Sequence, residues 1–95
     1  MTATVPLSVC IPAYQAGRTL GTTLRSVLAE DVDMEVLVLD NASTDDTGEI
    51  ARSFDDPRVR VERNRRLLSI GDNWNAVVRR STGRLVKVVC ADDVV

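Results

Sequence analysis

The 95-residue sequence has no histidine and few cysteines or aromatic residues. Without histidine, catalytic triads with an imidazole base, imidazole metal ligands and histidine acid–base catalysis are excluded. Two cysteines are too few for a disulfide scaffold or a four-thiolate zinc site, and they fit a reducing compartment, so we expect a cytoplasmic protein. Aromatic residues make up only 3% of the chain, which predicts an aliphatic core.

Long apolar runs and an excess of positive charge are also missing. No run approaches the roughly 20 apolar residues of a membrane-spanning helix, and residues 1–6 lack the basic start of a signal peptide. Twelve basic against 14 acidic residues give a net charge of −2, which argues against nucleic acid or an anionic membrane as a partner. The length predicts a single partial domain that covers residues 1–95.

Hydrophobic periodicity alternates between strand and helix patterns along the chain. Short apolar runs predict strands at 7–11, 34–39, 59–61 and 85–90. Helical stripes lie between them and consist of Leu20, Leu24, Val27 and Leu28, then Ile50 and Phe54, then Ile70, Trp74 and Val77. Ser43 or Thr44 is predicted to cap the second helix, and Gly83 to end the third. The order βαβαβαβ predicts an α/β fold with a doubly wound, mostly parallel sheet.

The chemistry-bearing residues collect at the carboxyl ends of the predicted strands. In a doubly wound sheet of order 3-2-1-4, ligands bind where the order reverses, between strands one and four. A ring at Tyr14 can stack on a base, and Asp40 can accept from a base N–H or a ribose hydroxyl. Adjacent carboxylates suit Mg²⁺ or Mn²⁺. Together they predict a nucleoside diphosphate held by a metal, at Pro12, Ala13, Tyr14, Asp40, Asn41, Asp92 and Asp93.

Each of these features also has a simpler structural explanation. Asp92–Asp93 alone can be a solvated turn, Tyr14 half-buried packing, and Asp40–Asn41 a turn before a helix cap. Only their convergence on one edge favours a ligand site. Structural roles are predicted for the other notable residues: a solvated face for Arg63, Arg65 and Arg66, a core position for Trp74, and inert buried thiols for Cys10 and Cys90.

Four segments, in order and over nearly the whole chain, resemble glycosyltransferase family 2. They are Leu7–Tyr14, Val38–Thr47, Gly71–Ala76, and Gly83–Lys87 leading to Ala91–Asp93. The resemblance implies a GT-A fold, of which this chain is the Rossmann-like nucleotide-binding half. It also implies inverting transfer of a sugar from a nucleoside-diphosphate sugar, with a UDP-sugar favoured, to an unassigned glycan, lipid or protein acceptor.

The same resemblance implies roles for individual residues. Pro12 and Tyr14 border the base, and Asp40 binds the base or the ribose. Asp92 and Asp93 hold ribose, diphosphate and a divalent metal, Mg²⁺ or Mn²⁺, which neutralises charge on the departing diphosphate.

The sequence departs from the family's pattern in composition and in length. Ala16 stands where many members carry an acidic residue, Cys90 where many carry aspartate, and residues 65–68 where a glycine is usual. Because the chain stops at Val95, we expect a domain truncated after the fourth strand, with the catalytic base beyond Val95 and no activity of its own. The open edge of the fourth strand predicts self-association. A longer parent protein could lie peripherally on the cytoplasmic membrane.

Other protein classes fit the sequence less well or differ in one testable property. A truncated, non-catalytic nucleotide-binding or self-associating module is the main alternative, and it differs by the absence of turnover. A nicotinamide dinucleotide domain needs G-x-G-x-x-G after the first strand, whereas residues 13–17 contain one glycine. A phosphoacceptor receiver domain needs acidic residues at the first strand end, and a sugar nucleotidyltransferase needs a Gly-rich first loop; neither is present.

Overall fold

A computed structural model describes residues 5–91, in which strands alternate with helices. The strands are β1 (Leu7–Ala13), β2 (Glu35–Asp40), β3 (Val59–Arg63) and β4 (Leu85–Val88), and the helices are α1 (Leu20–Leu28), α2 (Thr47–Arg52) and α3 (Ile70–Arg80). All strand pairs are parallel, in the order β3-β2-β1-β4. The predicted α/β class, element order and strand order are confirmed. Within the described residues, no helix is both long and apolar enough to cross a lipid bilayer.

The helices cover the two faces of the sheet and leave a core on each side. On one face, side chains of α1 and α2 pack on Val9, Ile11, Val36 and Val38. On the other face, Ala76 and Val77 of α3 pack on Cys10, Leu37 and Leu39. Covering both faces explains why β1 and β2 are apolar at nearly every position, as parallel strands usually are.

Helix α3 is rotated from its predicted orientation, so that of the predicted stripe only Val77 is buried. Ile70 is 78% exposed and Trp74 is 37% exposed, whereas Asn73, Ala76 and Val77 are buried. The prediction of Trp74 as a core residue is therefore wrong. The helix is rotated because Asn73 makes hydrogen bonds on the sheet side, and this turns the neighbouring indole outward.

Two other boundaries differ from prediction. Helix α2 begins at Thr47 without a side-chain cap, because the Ser43 hydroxyl and the Thr44 N–H both bond to Gln15 instead. Strand β4 ends at Val88 and leaves most of its side chains exposed, because it is the edge strand and is paired only with β1 in the part of the chain described.

Gly83 lies against Leu7 and Ser8 at the start of β1, at the end of the sheet where the parallel strands begin. A Cβ atom there would come within 2.4 Å of the Ser8 nitrogen and 2.7 Å of the Leu7 carbonyl carbon. The Gly83 N–H donates to Ser8 Oγ (2.7 Å), which in turn donates to Glu35 Oε2 (2.7 Å). Gly83 is therefore required by close backbone approach. The prediction that Gly83 ends the third helix is wrong, because α3 ends at Arg80 with Ser81 as its C-cap.

Gly83→Ala is expected to lower the free energy of unfolding by about 1–3 kcal/mol, because the added methyl group must displace the β1 backbone. Gly71→Ala is the matched control: nothing lies within 4 Å of its added Cβ, so alanine should stabilise α3 by up to about 1 kcal/mol. Urea unfolding followed by circular dichroism measures both. Equal effects of the two substitutions would contradict the close-approach explanation.

Candidate functional site

A cavity of about 470 Å³ opens at the carboxyl edge of the sheet, where the strand order reverses. We call this cavity the crevice. Its walls come from the ends of β1 and β4, the loop that leads into α1, and the first half of α3. The lining residues are Pro12, Tyr14, Gln15, Ala16, Arg18, Thr19, Ile70, Trp74, Cys90 and Ala91. The crevice therefore lies at the position that the strand order predicts for a ligand.

Two of the three aromatic residues in the chain line the crevice. Tyr14 is 51% exposed and Trp74 is 37% exposed, whereas Phe54 packs against the core formed with α1 and α2. In a chain with so few aromatic residues, exposing two of them at one concave surface is typical of a ligand-binding pocket, which combines apolar walls with a few polar groups.

Among residues 5–91, Arg18 is the one charged side chain that lines the crevice. No ion pair within that stretch involves its guanidinium. The lining that these residues form therefore carries one positive charge and no carboxylate. A guanidinium binds phosphate through paired, charge-assisted hydrogen bonds. This part of the site is therefore suited to an anion.

The loop after β1 is clamped to the loop after β2. Three consecutive backbone N–H groups donate to side-chain oxygens: Gln15 N to Ser43 Oγ (2.9 Å), Ala16 N to Thr47 Oγ1 (2.8 Å) and Gly17 N to Asp45 Oδ2 (3.0 Å). Gln15 has a φ of 49°, a left-handed conformation that costs a non-glycine residue about 1–2 kcal/mol. These bonds hold the loop in that conformation and so position Tyr14 and Arg18 at the crevice.

Asp40 is fully buried, and both of its carboxylate oxygens have partners. Oδ1 accepts from Ser43 N (3.0 Å), and Oδ2 pairs with Arg63 Nη1 (2.7 Å). Arg63 Nη2 also donates to the Ser43 carbonyl (2.9 Å), so the three residues form a closed ring of bonds. The predicted solvated position of Arg63 agrees with its half-exposed side chain, but the prediction missed the ion pair with the buried Asp40. Asp40 does not line the crevice, and its direct contact with a nucleotide stays a prediction.

Asn41 is buried in a network of three asparagines that joins β2, the end of β3 and α3. Asn64 Nδ2 donates to both Asn41 Oδ1 (3.0 Å) and Asn73 Oδ1 (2.7 Å). Asn41 also bonds to the carbonyl and the N–H of Leu68, each at 2.9 Å. The network anchors the first half of α3 and thereby sets the position of Trp74. No role in the site was predicted for Asn64 and Asn73 from the sequence. Asn73 lies on the same helical face as Ala76 and Val77, and a polar residue there could have indicated a buried hydrogen-bond network.

The predicted site residues are only partly brought together. Pro12 and Tyr14 line the crevice, whereas Ala13, Asp40 and Asn41 are buried and do not line it. Asp92 and Asp93 lie outside the described residues. Cys90 and Ala91, which precede them, do line the crevice. Between residues 5 and 91, no group of three or more His, Cys, Asp or Glu side chains is arranged to hold a metal.

The two thiols differ in environment. Cys10 is completely buried, and that burial raises the pKa of its thiol, as expected for an inert core cysteine. Cys90 is only partly buried and lines the crevice. The prediction of two buried thiols is therefore right for Cys10 and wrong for Cys90, because β4 ends before Cys90 and the chain there borders open space.

Comparison with known sequences identifies one family. The profile of Glycosyl transferase family 2 matches residues 8–95. The succinoglycan biosynthesis protein ExoU of Rhizobium meliloti is 38% identical to this chain over an alignment 100 residues long. The alignment covers 98% of the chain and 28% of ExoU.

Comparison with solved structures gives the same fold. S. aureus TarS, solved as residues 1–349 in complex with UDP, matches 92% of this chain and 27% of its own length at a TM-score of 0.85 and 25% identity. The mannosyltransferase PcManGT from Pyrobaculum calidifontis, solved with GDP-Man and Mn²⁺, matches 96% of this chain and 28% of its own length at a TM-score of 0.83 and 24% identity. The chain thus spans less than a third of each of these three proteins.

Arg63→Ala is expected to lower the free energy of unfolding by about 2 kcal/mol, because it leaves the buried Asp40 carboxylate without its cationic partner. Arg66→Ala is the control, since Arg66 is exposed and has no ion pair within residues 5–91; its effect should stay within about 0.5 kcal/mol. Urea unfolding at pH 7 compares the two. Indistinguishable midpoints would mean that the Asp40–Arg63 pair does not stabilise the loop.

Proposed function

Because the chain belongs to glycosyl transferase family 2 and has the GT-A fold, we propose that it forms the donor site for inverting transfer of a sugar from a nucleoside-diphosphate sugar. The observation that carries this proposal is the crevice, where Tyr14 and Trp74 offer flat apolar surfaces and Arg18 offers a positive charge. A UDP-sugar is favoured because TarS was solved with UDP. The acceptor is a glycan, a lipid or a protein.

Within this proposal, different residues of the crevice bind different parts of the donor. Pro12 and Tyr14 border the base, and Arg18 pairs with the diphosphate. Asp40 and Asn41 act on the nucleotide through the loop and the helix that they hold in place. Because Asp40 and Asn41 are buried, direct contact with either side chain requires the residues that cover it to move.

We assign a divalent cation, Mg²⁺ or Mn²⁺, to Asp92 and Asp93. Two adjacent carboxylates are the oxygen donors that these cations prefer. Cys90 and Ala91, which directly precede these two aspartates in the sequence, line the crevice. A cation bound there supplies a Lewis acid that neutralises charge on the departing diphosphate. Arg18 contributes a second positive charge toward the same group.

The 95 residues are proposed to bind the donor without turning it over. They span 28% of ExoU and 27% of TarS. The sequence has no histidine, and no carboxylate of residues 5–91 lines the crevice, so that part of the chain offers no general base for an acceptor hydroxyl. The base is assigned to the part of the relatives that this chain does not span. A cytoplasmic location is proposed because both cysteines are free thiols.

Calorimetric titration of UDP into the chain tests the donor site. Binding is expected with Mn²⁺ and should be lost with EDTA or in the Asp92→Ala, Asp93→Ala double variant. Arg18→Gln should weaken UDP binding roughly 10- to 150-fold, the usual value of a hydrogen bond to a charged group. Arg79→Gln, an exposed change in the last turn of α3, is the control. No binding of UDP, GDP or dTDP to folded protein would overturn the proposal.

We also propose that two copies of the chain associate through β4. Its outer edge is unpaired among the described strands, and Leu85 and Val86 are 70% and 44% exposed. Unpaired edges with apolar side chains are templates for pairing with a second chain.

Val86→Lys is expected to shift the chain toward monomer, since a charge on an edge strand opposes pairing. Val32→Lys is the matched control, because Val32 is 45% exposed and lies outside every strand. Sedimentation equilibrium over a range of concentrations measures the association. A wild-type chain that stays monomeric at all concentrations would refute this interface.

A further inference from the structure

Trp74 occupies an unusual position for the only tryptophan of a small protein. Helix α3 turns Asn73 toward the sheet and leaves the indole 37% exposed at the crevice. Burying the indole and exposing the amide would remove more apolar surface from water, so the observed orientation sacrifices hydrophobic stabilisation. Local choices that oppose stability in this way are concentrated at functional sites.

The exposure of Trp74 is not explained by its position on an exposed apolar face of α3 alone. Ile70, Trp74 and Val78 form a stripe at four-residue spacing, and all three are exposed. Val78, however, does not line the crevice, whereas Trp74 shares the crevice with Tyr14 and Arg18. The crevice, at about 470 Å³, falls within the usual range of small-molecule pockets. This part of the stripe therefore borders a pocket that is large enough for a small molecule with a planar group.

We propose that Trp74 is a donor-contacting residue whose indole stacks on the base of the bound nucleoside diphosphate. This inference rests on the proposed function and adds to it a residue of α3, which lines the crevice together with Pro12 of β1 and Tyr14 of the loop that follows. The indole supplies a π face to the base, while Arg18 supplies charge to the diphosphate. Because every base has a π face, stacking is tolerant of base identity. Trp74 accordingly raises affinity for UDP, GDP and dTDP alike.

The asparagine network holds Trp74 ready for this contact. Asn73 precedes Trp74 and is bonded through Asn64 to Asn41 at the end of β2. The Ser69 hydroxyl accepts from Asp72 N (3.1 Å) and caps the same helix end. These bonds restrict the first turns of α3 before any ligand arrives, so little ordering remains to be lost when a base binds, and that favours affinity.

The single tryptophan allows a direct optical test. Uridine and UDP, with Mg²⁺ in place of the paramagnetic Mn²⁺, are expected to quench the indole emission, and the UDP titration should saturate at the dissociation constant measured by calorimetry. Inorganic pyrophosphate with Mg²⁺ should leave the emission unchanged. Trp74→Ala should weaken UDP binding roughly 5- to 150-fold by calorimetry, the range for one base–aromatic stack, and Trp74→Phe should weaken it less. Val78→Ala, on the same exposed stripe, should bind UDP as the wild type does.

The outcomes separate this inference from the proposed function. If UDP binds by calorimetry but leaves the emission unchanged, and folded Trp74→Ala binds it equally well, the stacking proposal is refuted and the donor site stands. If Trp74→Ala weakens binding of UDP-glucose but not of UDP, the indole contacts the sugar and the assignment to the base is wrong. If no nucleotide binds to the folded wild type, the donor site itself fails and the stacking proposal fails with it. Circular dichroism confirms folding of each variant.

Discussion

The handedness of the crossover connections around β1 is the constraint on which the rest of the structure depends. Parallel strands joined through a helix are connected with a right-handed turn. Starting from β1, this rule carries α1 and α2 over one face as β2 and β3 are added on one side. To reach the other side of β1, the chain returns over the opposite face as α3. The two connections diverge at the carboxyl end of β1, and the crevice occupies the space between them.

Polar residues at this edge of the sheet divide into those that hold the backbone and those that face the crevice. Asp40 and Asn41 follow β2 and are buried, where their bonds to Arg63 and Asn64 fix the neighbouring loops and α3. A buried polar group must be fully bonded or it destabilises the fold, and these bonds meet that requirement. Tyr14, Arg18 and Trp74 are carried by the segments thus fixed. The proposed donor contacts therefore depend on buried residues that the donor need not touch.

The periodicity of apolar residues predicted the strands and helices because these residues pack between the sheet and the helices that cover it. Strands β1 and β2 are apolar at nearly every position because both faces are covered, and α1 follows its predicted stripe of Leu20, Leu24 and Val27. For α3 the same reasoning was right for Val77 but wrong for Ile70 and Trp74. Its stripe of Ile70 and Trp74 is more apolar than the buried one, yet Asn73 forms hydrogen bonds with partners that lie far away in the sequence. No local pattern reports on such partners.

The sequence by itself determined the α/β class, the order of the elements, the reversal of strand order at β1 and the residues that follow the strand ends. These depend on local periodicity and on the handedness of crossovers, both of which act on any chain of this pattern. Only the tertiary structure decided which polar residues are free. Asp40 forms an ion pair with Arg63, Arg18 has no ion pair within residues 5–91, and Trp74 lines the crevice. Whether a charge is paired or a ring exposed depends on what the fold brings beside it, and that is not encoded in the residue type.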